Sequence, residues 1–174
     1  MPYTPYHFGP SGFIGLVLGK WIDLPVFVLA NVVIDIEVLV IDLLGMMGYP
    51  LHRYCHTLLI GAALGAIWGI AAYPMRNFFK KIMRIFYIPY KTSLFKMVIS
   101  GVLGIWLHVF IDGIYHTDVM IFWPSKNMWF QRTLHEHITR TKLETVCMLF
   151  FIATFILYIL LVTVFRRNWV KDYR

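Results

Sequence analysis

Along the chain, long apolar runs alternate with short polar connections. The clearest is 145–165, TVCMLFFIATFILYILLVTVF, with 21 residues and no charge. That matches the roughly 20 residues needed to cross a bilayer as a helix. Residues 57–75 form a second such run. Residues 94–115 form a third, with His108 and Asp112 inside it, and residues 24–46 a fourth, carrying Asp35, Glu37 and Asp42. Residues 13–19 are too few to cross alone and read as a half-helix or re-entrant segment. The pattern predicts an all-α polytopic membrane bundle of about four spans plus a short N-terminal half-helix, with residues 1–174 forming one integral membrane domain.

Composition agrees. Of 174 residues, 59% are hydrophobic and only 14% charged, too little polar surface for a soluble domain of this size. The N-terminal stretch MPYTPYHFGP lacks the basic start of a cleavable signal peptide, so the first helices are expected in the mature protein. The net charge of +7, from 16 basic and 9 acidic residues, is clustered. Arg76, Lys80, Lys81, Arg84, Lys91 and Lys96 share one connection. Membrane topology explains that cluster more simply than nucleic-acid binding, because Lys and Arg accumulate in cytoplasmic loops. With 76–96 and the tail RRNWVKDYR on the cytoplasmic side, parity puts residues 1–9, His52, His56 and the 116–144 connection on the outer side. That outer connection itself carries Lys126, Arg132, Arg140 and Lys142, which dilutes the bias. The two cysteines, Cys55 and Cys147, both fall near the outer face and read as ordinary membrane thiols rather than a disulfide.

Ionisable residues inside the runs need a reason. A charge near the bilayer centre costs about 2.5–3.5 kcal/mol on insertion scales unless it is paired or coordinated. Asp35, Glu37, His108 and Asp112 are such residues, and His nitrogen and carboxylate oxygen are ligands for zinc and related ions. His108 and Asp112, four apart, share a helix face. His56 opens the neighbouring antiparallel span at a compatible depth. Asp35 and Glu37, two apart, point in different directions, so one should face the site and the other needs a separate partner. His7 lies in TPYHFGP, expected to be an irregular stretch folded back beneath the outer surface. Other polar residues have plainer readings. His116 is interfacial, Asp42 caps or snorkels, and His135, Glu136 and His137 form a solvated loop. The aromatic stretch 122–130, FWPSKNMWF, is an interfacial belt or a headgroup-positioning loop.

TPYHFGP, DIE, HRYCHT and HVFIDGIYHTDVMIFWP, in that order, resemble the family of predicted membrane-bound metal-dependent hydrolases, distant relatives of zinc-dependent phospholipase C and the zinc-dependent single-strand nucleases. The resemblance covers most of the chain, although the last span carries no motif. It implies an all-helical fold and a metal set of His7, Asp35, His56, His108 and Asp112. Asp112 would bridge a first ion, held with Asp35, His56 and His108, to a second ion on His7. The relatives' further His-x-x-x-Glu site has no counterpart here. Asp118, His135 or His137 would have to replace it. Ile34 stands where the membrane family often has proline.

The implied chemistry is hydrolysis assisted by one or two Zn2+ or other divalent ions. Bridged ions acidify a shared water and stabilise the oxygens of an in-line displacement at phosphorus. Asp35 would ligate and accept a proton, Arg53 would grip a phosphate oxygen through its planar fork, and His52 or Glu37 would orient a ligand. A site facing the outer leaflet makes a membrane lipid phosphate or phosphodiester the expected substrate. An ester or amide remains an alternative. Rival readings are a haem carrier on His56 and His108, an ion or proton transporter acting as an oligomer, and a non-catalytic membrane adaptor.

Overall fold

The computed structural model describes residues 5–45, 54–125 and 129–163, the side chains of Phe130 and Gln131 excepted. Among them are seven α-helices and no strand: α1 Pro5–Val17, α2 Leu24–Leu43, α3 Leu58–Ala72, α4 Arg76–Ile85, α5 Leu94–Tyr115, α6 Trp129–His137 and α7 Arg140–Thr163. Four are long and apolar enough to cross a membrane: α2, α5, α7, and α3 together with α4, which run on as Leu58–Ile85 through a 3-10 turn at Tyr73–Met75. The protein is the predicted all-helical bundle. The 13-residue α1 is too short to cross.

Three of the four spans, those begun by α2, α3 and α5, start at a recognisable cap. Asp23, Thr57 and Ser93 are extended residues whose side-chain oxygens accept the backbone N–H three residues on, at 3.2 Å in each case. Such caps satisfy donors that a helix start leaves orphaned. Asp23 does more. It also accepts hydrogen bonds from Tyr90 Oη at 2.8 Å and from the Thr92 hydroxyl, while its own backbone N–H donates to Ser100 Oγ at 2.6 Å. Burial, then the Asp23 charge, pushes the Tyr90 phenol above its ordinary value, so it stays a donor. This network clamps the start of α2 to the α4–α5 connection at one end of the bundle.

The central packing is α3 and α2 against α5, with α1 packed on α7. The buried residues of α3 are Gly61, Gly65, Gly69 and Ala72, one every fourth position or nearly so. A Cβ on Gly65 would lie 2.6 Å from Gly101 O, and one on Gly101 would collide with Gly65 O. The two backbones touch here, which is how small residues bring helices together when lipid offers no hydrophobic drive. Gly9 plays the same part for α1, lying against Cys147 O and Phe151 N of α7. Between the helices lies an apolar core of Ala30, Ile34, Ile105 and Val109, continued by Val26, Ala72, Phe79 and Met97.

Three sequence expectations are corrected. TPYHFGP is helical from Pro5, not irregular. Proline suits a first helical turn, and Gly9 lets that helix pack tightly. The 76–96 connection begins with a helix, α4, because Phe78, Phe79, Ile82 and Met83 recur at helical spacing. His135, Glu136 and His137 end a short helix, α6, not a loop.

Candidate metal centre

The site forms where the C-terminal half of α5 meets the start of α3. His108 and Asp112, one turn apart on α5, are 0% and 3% exposed. Asp35 reaches in from α2. His56 comes from the turn before α3, which is held by Thr57 Oγ donating to Tyr54 O at 2.9 Å and by Leu58 N–H donating to Ile121 O at 2.9 Å. One ligand atom from each of Asp35, His56, His108 and Asp112 lies within 4.8 Å of all the others.

The spacings fit an ion. His108 Nε2 is 3.0 Å from Asp112 Oδ2 and 3.2 Å from Asp35 Oδ1. His56 Nε2 is 3.7 Å from Asp35 Oδ1 and 3.8 Å from Asp112 Oδ2. A tetrahedral zinc with bonds of about 2.0–2.1 Å places its ligand atoms roughly 3.3–3.4 Å apart, and the four separations bracket that value. Charge fits as well. Two carboxylates and two neutral imidazoles balance a dication, whereas a buried carboxylate, Asp112, beside a half-buried one, Asp35, is expensive without a cation. The cluster can therefore hold a metal ion.

Glu37 stands behind His56. Its Oε2 is 3.0 Å from His56 Nδ1, and its Oε1 accepts Cys55 N–H at 3.3 Å. A carboxylate on Nδ1 fixes the tautomer that leaves the Nε2 lone pair for a metal. Asp35 and Glu37 point apart on α2, as expected, yet they serve one imidazole from its two nitrogens. Burial, then Glu37, pushes the Cys55 thiol up to about 12, so it remains protonated and unreactive. Cys55 and Cys147 are both free thiols.

His7 lies beside the four-residue group. Its Nε2 is 3.1 Å from Asp112 Oδ1, the oxygen facing away from His56 and His108. Its ring stacks on His108, centroids 4.1 Å apart and 11° between planes. Asp112 thus presents Oδ2 to the four-residue group and Oδ1 to His7, the geometry of a bridging carboxylate or of a ligand steadied by a donor. Asp118 is buried, but it does not join the cluster, and neither do His135, Glu136 and His137. Arg53 and His52 lie outside the described residues, as does the C-terminal tail. The most exposed side chain of the cluster is Asp35, at 26%, against 4% or less for the side chains of His56, His108 and Asp112.

Comparison with protein-family models, with curated proteins and with solved structures found no match to this chain.

Proposed function

We propose that this chain is a membrane-embedded metal-dependent hydrolase, with zinc as its ion and a lipid phosphate or phosphodiester as its substrate. The observation that carries the reading is the convergence of Asp35, His56, His108 and Asp112, from three separate parts of the chain, with spacings suited to one tetrahedral ion. A divalent ion in that position acidifies water and neutralises charge on phosphate oxygens. The side chains do the rest. Asp112 and His108 would hold the ion from the buried side. Glu37 keeps His56 in the ligating tautomer. Asp35, the most exposed of the four, would ligate the ion and accept a proton from incoming water. Arg53, next to this turn in sequence, would contact a phosphate oxygen. The choice of phosphorus over an acyl ester or amide rests on the resemblance to the membrane-bound hydrolases.

The basic residues of α4 sit at the far end of the bundle from the cluster. If that end is cytoplasmic by the usual charge bias, the site opens to the extracytoplasmic leaflet. A transporter reading is disfavoured by the apolar layers of Ala30, Ile34, Ile105, Val109 and Met97, which separate the cluster from the other end. A haem reading is disfavoured because Asp35 and Asp112 fill the space between the two imidazoles.

The test is the detergent-purified chain, its zinc content by elemental analysis, and the release of phosphate or headgroup from phospholipid. The wild type should bind zinc and release product. Asp112→Asn and His108→Ala should lose the ion and more than about a hundredfold in rate, beyond the loss typical of an orienting residue. Full activity in either variant would end the assignment.

A further inference from the structure

A large cavity lies away from the metal centre. It has a volume of about 630 Å³ and opens between α1, α2, α4 and α7, lined by Leu16, Leu29, Phe79, Ile82, Phe155 and Tyr158 among others. It falls within the roughly 300–1,000 Å³ of cavities that enclose small ligands. Its lining is almost wholly apolar. Tyr158 on α7 donates to Phe86 O at the end of α4, 3.0 Å away, and closes one wall.

Helix α4 gives this groove a polarity. Phe78, Phe79, Ile82, Met83 and Phe86 line it. At 100° per residue, Lys80, Lys81 and Arg84 fall on the other side of the helix. Lys80, Lys81 and Arg84 are solvent-exposed. Lys91 follows in the next connection. The acid at this end of the described chain, Asp23, is buried and already accepts from Tyr90, Thr92 and Val26 N–H. It does little to offset the basic face. Helix α3, of 15 residues or about 22 Å, separates this end from His56.

We infer that the groove between α1, α2, α4 and α7 is a binding site for an anionic phospholipid, with an acyl chain in the cavity and the headgroup at the basic face of α4. The apolar lining takes hydrocarbon. The lysines and arginines, on stems long enough to reach back toward the groove mouth, favour a negative headgroup. Each basic residue near an anionic membrane surface adds attraction. The site is distinct from the metal centre and does not depend on the hydrolase reading.

The test uses the full chain in detergent, titrated with dioleoyl phosphatidylglycerol or dioleoyl phosphatidylcholine and read by native mass spectrometry. The two lipids share acyl chains and differ in headgroup charge. The wild type should retain the anionic lipid about tenfold better. A Lys80→Gln, Lys81→Gln, Arg84→Gln triple variant should bind both lipids alike. Leu29→Trp, at a position 37% exposed on the groove wall, should lose both. Equal retention of the two lipids by the wild type overturns the proposal, whatever the variants do. So does undiminished retention in Leu29→Trp. Zinc content should not change in either variant, so failure here and failure of the metal site are told apart.

Discussion

Glu37 is the residue whose role is most sharply testable. It reaches His56 Nδ1 at 3.0 Å and touches none of the four ligand atoms' positions directly. In the proposed metal site its work would be to hold a proton on Nδ1 and leave a lone pair on Nε2. Glu37→Gln keeps an acceptor for that proton but removes the charge, and loss of such an orienting carboxylate typically weakens metal binding 10–100-fold. Competition against a chromophoric chelator should show zinc affinity falling about that much, with helix content by circular dichroism unchanged. Affinity equal to wild type would mean that Glu37 only anchors the Cys55 backbone. At this scale the sequence was informative about which residues matter, because acids and histidines inside apolar runs are costly without a partner. It was silent on how Asp35 and Glu37 divide the work. That division depends on the 54–57 turn carrying an imidazole alongside α2, and no spacing within α2 records it. The helical setting of His7 was hidden as well. Two prolines and a glycine read locally as an irregular path, while the contact that makes Gly9 useful is with α7, far along the chain.

At the scale of helices, the α3–α5 contact carries the site, since it brings His56 to His108, ring centroids 5.6 Å apart. Gly65→Ala would put a methyl carbon 2.6 Å from Gly101 O and from Val102 N, both backbone atoms that cannot step aside. The helices must separate, at a cost of about 1–3 kcal/mol for overpacking. Thermal unfolding in detergent should fall by several degrees, and zinc retention should fall with it. Ile67→Ala, on the same helix but 61% exposed, should leave both within about 0.5 kcal/mol. Equal behaviour of the two variants would deny the close approach. Asp23→Ala tests the opposite end. It removes the α2 cap and strands the Tyr90 and Thr92 hydroxyls, and should cost about 2 kcal/mol or more in the same melt. The four spans were legible from run length alone. Helices α4 and α6 were not, because a search for long uncharged runs passes over short helices whose apolar residues are interleaved with charge.

For the whole molecule, an ion at the candidate metal centre would be a fastening. The centre's side chains come from α1, α2, α5 and the turn before α3, so an ion held there binds the folded bundle and not the separated helices. An ion present at about 1,000 times its dissociation constant adds roughly 4 kcal/mol to folding. Chelation should therefore lower the melting temperature of the wild type and leave Asp112→Asn unmoved. The dependence on pH has a definite sign. Burial pulls the His56 pKa down, but Asp35 and Glu37 outweigh it and raise the value above the ordinary 6.5. In the ion-free chain, that raised pKa supplies stability that is complete below the unfolded value and is lost as pH rises through the folded one. Binding an ion requires the opposite state, since His56 must shed its proton from Nε2 to ligate. Zinc and proton compete, and the gap in melting temperature between zinc-loaded and chelated protein should widen from about pH 6 to about pH 8. A gap that stays constant across that range would show that the ion does not displace a proton from His56. A gap of zero throughout would show that no ion joins these helices.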